Sequence, residues 1–150
     1  MQLPTIKTVL AAVDFSPWTA PVLRAAAHLA DQYGARLSAL YSELFLPPPY
    51  FTEHELGAIS ALLDTQRRAA GQHLAGVVGE VLPDRQVKVL LEDQLPVEGI
   101  LHGARAQQAG LIVLGAQHRP LLEATFFGTT SVRLMRHAPT AVLTVVRPPS

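Results

Sequence analysis

"TVLAAVDFSPWTAPVLRAAAHLADQYGARLSALYS", residues 8–42, carries the pattern that decides the fold. Val9–Val13 is a short, nearly continuous apolar run, the mark of a strand covered on both faces. It gives way at Asp14 to a Ser-Pro turn. From Pro17 to Tyr33 the spacing becomes helical, with Val22, Ala25, Ala26, Leu29 and Ala30 on one face. A second apolar run, Leu37–Tyr41, follows. Strand, helix and strand in this order make a crossover unit, which joins parallel strands.

The pattern recurs along the rest of the chain. Further apolar runs lie at Val87–Leu91, Leu111–Leu114 and Val142–Val146. Thr52 and Glu55 form a capping box ahead of Leu56, Ile59, Leu63, Ala70, Leu74 and Val77. Pro96 suits a first helical turn, with Val97, Ile100, Leu101 and Ala104 on one stripe behind it. A last helix is predicted from about Thr129 to His137, stopped before Pro139. The Pro-rich stretch at 46–50 is a stiff connection, and Pro148–Pro149 a tail. Five strands alternating with helices predict a doubly wound α/β fold with helices on both faces of a five-stranded parallel sheet. No internal repeat or boundary divides the chain, so residues 1–150 read as one domain.

Composition narrows the function. Twelve basic and twelve acidic residues cancel, and no Lys/Arg cluster stands out, which argues against nucleic acid or an anionic membrane as partner. The chain has no cysteine, which excludes disulfides, thiolate catalysis and Cys-based zinc sites. No uncharged apolar stretch approaches the roughly 18 residues of a membrane span. The reading is a soluble, cytoplasmic protein.

In a doubly wound sheet, ligands bind beyond the carboxyl ends of the strands, where neighbouring connections leave in opposite directions. Asp14, Ser42 and Gly115 stand just there. Asp14 can accept hydrogen bonds from a ribose, hold a metal, or cap the first helix together with Ser16, which precedes Pro17. Gly115 ends the fourth run and allows a sharp turn off its strand with no side chain in the crevice. Gly128 permits close backbone approach, and Thr129, Thr130 and Ser131 open a helix whose free N–H groups and dipole favour an anion. An ordinary loop with a Gly-Thr helix start fits the same residues.

"VDFSPWTAPVLRAAAHLA" and "AGLIVLGAQHRPLLEATFFGTTSVRLMRHAPTAVLTVV" together resemble the opening and the closing third of the universal stress protein family. That resemblance covers nearly the whole chain and is weakest between Phe45 and Pro83. It implies an adenine nucleotide alpha-hydrolase-like fold with strand order 3-2-1-4-5 and, in ATP-binding members, a nucleotide at the switch point between strands one and four. Carried over by position, Ala12 and Asp14 would lie by the adenosine, with Asp14 on the ribose, and Ser42 would offer backbone groups to adenine. Gly115 would lie under the nucleotide, and Gly128, Thr129 and Thr130 would hold the phosphates of ATP, with or without magnesium. The departure is His118, where the family pattern G-x2-G-x9-G-[ST] has its second glycine. Its ring either blocks the phosphates or, protonated beside Arg119, pairs with them.

The resemblance also implies a homodimer joined through the last strand. A long apolar edge strand needs cover, and a two-fold dimer supplies it. The predicted function is a stress-response regulator binding ATP or a related adenine nucleotide; the alternative is a nucleotide-free dimer that acts through an unknown protein partner. An enzyme is not favoured: Asp14, Ser16 and the histidines lack a G-x-S-x-G elbow or an H-E-x-x-H pair. His28 and His73 read as surface or partly buried helix residues, His137 as a helix-end cation, and neither His54 nor His102 has an evident partner. A Rossmann dinucleotide enzyme is disfavoured too, because "DFSPWT" replaces G-x-G-x-x-G after the first strand.

Overall fold

The computed structural model describes residues 5–49, 52–116 and 129–146, with backbone alone at 129–131. Its sheet has five parallel strands, β1 (Thr8–Ala12), β2 (Arg36–Ser42), β3 (Lys88–Glu92), β4 (Leu111–Gly115) and β5 (Ala141–Val145). They lie in the order β3-β2-β1-β4-β5. The helices are α1 (Thr19–Tyr33), α2 (Leu56–Val81), α3 (Pro96–Ala106) and α4 (Thr129–His137). The expected alternation is therefore present, with most strand ends within a residue or two of the apolar runs.

Two apolar layers cover the two faces of the sheet. Val9, Ala11, Leu37, Ala39 and Val113 pack with Val22, Leu23, Ala26 and Ala30 of α1 and with Leu74 and Val78 of α2. On the other face Leu10, Ala12, Leu40, Ile112 and Leu114 pack with Val97, Ile100 and Ala104 of α3 and Leu134 of α4. Alternate residues of the same strand thus serve opposite layers, which is why β1 and β4 read as unbroken apolar runs. Burying each Leu or Ile here contributes about 1.5–3 kcal/mol.

Local signals set several element ends. Gly34 takes the left-handed conformation, φ +62°, and its N–H and that of Ala35 bond back to Asp31 and Ala30 to close α1. Thr52 donates its N–H to the Glu55 carboxylate at 2.8 Å, so the capping box is present. It closes a single 3-10 turn, Glu53–Glu55, that runs directly into α2. Pro96 sits in the first turn of α3, and α4 spans the residues expected of it.

α2 differs from its expected apolar face. Only Leu74 and Val78 are buried; Leu56 is exposed, and Ile59, Leu63 and Ala70 are half-buried. Its carboxyl half packs in the core, while no residue of its amino half is buried. An ion-pair strap crosses there. Arg67 binds Asp93 at 2.6 Å and Asp64 at 2.9 Å, and its guanidinium lies 5.9 Å from the centre of the Phe45 ring. Asp93 also accepts the Phe45 N–H at 2.9 Å, which holds its carboxyl below the ordinary range, with Arg67 adding to the effect. Among the described residues no helix is long and apolar enough to cross a membrane.

Candidate functional site

Strands β1 and β4 are neighbours, paired from Val9↔Leu111 to Ala11↔Val113. The chain leaves β1 for α1 on one face and reaches β4 from α3 on the other. Their carboxyl ends therefore form the switch point, with Ala12 and Asp14 at the end of β1 and Gly115 at the end of β4. α4 returns the chain from the carboxyl end of β4 to the amino end of β5, so its first turn, Thr129 and Thr130, belongs to this same end of the sheet. His118 and Gly128 lie outside the described residues.

Asp14 is exposed. Its Oδ1 accepts the Ser16 N–H at 3.0 Å, and the Ser16 hydroxyl accepts the Trp18 N–H at 3.2 Å. Two side-chain turns thus follow one another, and helix α1 begins at Thr19 rather than at Pro17. Ser16 takes up the Trp18 N–H ahead of the helix, but the N-cap position of α1 falls on Trp18 and not on Ser16. Asp14 Oδ2 has no hydrogen bond among the described residues, which leaves one carboxylate oxygen for a ligand.

Gly115 is not where the chain turns. The strand runs through it, and the next residue, Ala116, donates its N–H to Val145 at 3.0 Å. The glycine is required by Trp18 instead. A Cβ at position 115 would stand 2.6 Å from Trp18 Cβ and 2.8 Å from its Cγ and Cδ1, closer than such atoms approach. So the start of α1 lies directly against the end of β4. This dependence was not visible in the sequence, because it joins positions far apart in the chain.

Ser42 is buried, and its hydroxyl donates to the Gln94 carbonyl at 2.7 Å. The side chain thereby pins the connection from β3 to α3, leaving only the Ser42 backbone for a ligand. α3 lies close by, since a Cβ on Gly99 would stand 1.8 Å from Ser42 Oγ and 2.5 Å from its Cβ.

An aromatic corner flanks Asp14. Phe15 has a left-handed backbone, φ +61°, and its ring centre is 4.3 Å from that of Tyr41 and 4.4 Å from that of His73. A positive φ is uncommon for a side chain of this size, and the ring contacts hold it there. Tyr41 donates its hydroxyl to Glu43 at 2.9 Å. Burial first, then the Glu43 contact and the nearby charges of Glu43 and Asp14, push the Tyr41 phenol up to about 12. His102, expected to lack a partner, meets Glu92 at 2.9 Å through Nδ1. Among the described residues no group of three His, Asp or Glu side chains is placed to hold a metal ion.

The sequence profile of the universal stress protein family matches residues 5–146. The chain belongs to that family. A relative from Thermus aquaticus, the universal stress protein in the QAH/OAS sulfhydrylase 3' region, is 30% identical over 145 residues, covering 93% of this chain and 98% of its own. The universal stress protein UspA of Lactobacillus plantarum has a similar structure, with a TM-score of 0.72 at 24% identity over 95% of this chain and 99% of its own. A universal stress protein in complex with cAMP aligns at a TM-score of 0.61 and 19% identity, over 95% and 98% of the two chains. The fold shared with these structures is adenine nucleotide alpha-hydrolase-like, with the strand order observed here.

Proposed function

We propose that this universal stress protein binds an adenine nucleotide, ATP with or without magnesium, beyond the carboxyl ends of β1 and β4, and acts as a cytoplasmic stress-response regulator rather than an enzyme. The carrying observation is the gathering of Asp14, Gly115 and the first turn of α4 at one end of the sheet, where the two halves of the fold part. Asp14, whose Oδ2 has no hydrogen bond among the described residues, takes the ribose hydroxyls. The backbones of Ala12 and Ser42 face adenine, and Gly115 lies beneath the nucleotide. Gly128, Thr129 and Thr130 cradle the phosphates, where backbone N–H groups and the helix dipole favour negative charge. The cAMP bound by a structural neighbour supports the choice of ligand class.

Calorimetric titration with ATP and magnesium tests this reading. Binding lost in Gly128→Val is expected, since the new side chain would enter the phosphate path; no heat at millimolar ATP would favour a nucleotide-free dimer acting through a protein partner. His118→Gly separates the two roles of the imidazole: tighter binding means that it obstructs, weaker binding that it pairs with phosphate. The same reading has two copies joined through β5, an edge strand with Leu143 exposed on it and Val146 exposed just beyond it.

A further inference from the structure

Phe15 follows Asp14 in a conformation that glycine adopts freely and a large side chain does not. Among the described non-glycine residues only Phe15 and Gln108 have a positive φ, +61° and +51°. The left-handed backbone matters for its neighbour. It turns the chain so that the Ser16 N–H comes back to Asp14 Oδ1, at 3.0 Å. That bond orients the carboxylate, whose Oδ2 has no hydrogen bond among the described residues. With the rest of the turn unchanged, an extended or right-handed Phe15 would swing the Ser16 N–H away. The aim of Asp14 thus hangs on a backbone state that persists only where the surroundings enforce it.

Two distant elements enforce it. Tyr41, in β2, meets the Phe15 ring at 4.3 Å between centres, with the planes 39° apart. Its own hydroxyl is tied to Glu43, which fixes the far end of that ring. His73, in α2, meets the Phe15 ring at 4.4 Å and 58°. Leu74, the next residue, is fully buried and belongs with Val78 to the core beneath α1. The part of α2 that carries His73 is therefore held in place, although His73 itself is exposed. A tilted pair of rings at such distances contributes beyond the area it buries.

We propose that His73 is a positioning residue of the nucleotide site. Together with Tyr41 it holds Phe15 left-handed, and so holds the Asp14 carboxylate toward the ribose. The ribose part rests on the nucleotide reading above; the turn itself does not. Two measurements keep them apart. In the ligand-free protein, the Ser16 amide resonance and a strong intraresidue HN–Hα cross-peak at residue 15 report the turn. Calorimetry with ATP and with 2′,3′-dideoxy-ATP, which lacks the ribose hydroxyls, reports the aim of Asp14. The wild type should prefer ATP about tenfold, the worth of hydrogen bonds to a charged group. His73→Ala, at an exposed helix position, should weaken both turn signals and cut that preference about threefold, the worth of one ring contact. His73→Phe should restore both. Phe15→Gly should keep the Ser16 resonance and the preference for ATP, because glycine takes the left-handed state unaided. Phe15→Ala should lose both. Unchanged turn signals in His73→Ala, an equal loss of affinity for the two nucleotides, or identical behaviour of Phe15→Gly and Phe15→Ala would each overturn the proposal. A wild type that binds neither nucleotide would overturn the nucleotide reading alone, since the ligand-free signals still decide whether His73 holds the turn.

Discussion

The centre of the sheet and its margins are written in the same apolar alphabet but are used differently. Every residue of β1 is buried, as are the first four of β4. β5, whose sequence looks just as apolar, has no fully buried residue, and neither does β3. An unbroken apolar run therefore identifies a strand without saying how much of it the chain's own helices cover. At the centre, helices press close enough that glycine is required opposite them. At the margins, strand surface is left uncovered, and in our proposal a second copy covers it at β5.

Substitutions at the central glycines should have the largest effects. Gly115→Ala drives a Cβ into Trp18 and should cost about 1–3 kcal/mol, the usual penalty of overpacking a filled site, read as a lower urea midpoint with an unchanged slope. Gly103→Ala should cost less. Its Cβ would meet Leu40 Cδ1 at 2.2 Å, but that atom is the far end of a flexible side chain. Equal costs at the two positions would mean that Trp18 yields as readily as Leu40, and the contrast would fail. At the margin, Leu143→Lys should change the stability of the chain by less than about 0.5 kcal/mol. It should also shift sedimentation from dimer to monomer; a dimer that survives would remove β5 as the contact.

The smallest effect is expected at the Asp93 strap. Its carboxyl is held low, so the stabilisation from the Phe45 and Arg67 contacts is present above the ordinary aspartate value near 4 and fades as pH falls through the lower folded value. The Phe45 amide signal should follow that acid limb in the wild type and show none of it in Asp93→Asn. The Arg67 and Asp93 side chains are 35% and 34% exposed, enough for solvent to screen the pair, so global stability should hardly move.

What was legible in the sequence was local. Pro96 marked the start of α3, Thr52 with Glu55 the entry to α2, and Pro139 the limit of α4. Each works through its own backbone or a neighbour a few residues away. The positions of Asp14 and Gly115 at the strand ends followed from the alternation of elements. Contacts between distant segments were hidden: Trp18 against Gly115, Phe15 between Tyr41 and His73, and His102 on Glu92 all depend on how closely elements pack. So did the short cover of α2, because a helical stripe records its period and not the width of the sheet beneath it. The aromatic corner left one faint trace, a large side chain in the turn immediately after β1, but nothing in "DFSP" announces a left-handed Phe15.

In our proposal the nucleotide sits where β1 and β4 end. Photolabelling with 8-azido-ATP, followed by peptide mapping, tests it directly. Labelling is expected in the segments just after β1, β2 and β4, suppressed by excess ATP and lost in Gly128→Val. Labelling insensitive to ATP, or falling on the amino ends of the strands, would contradict it.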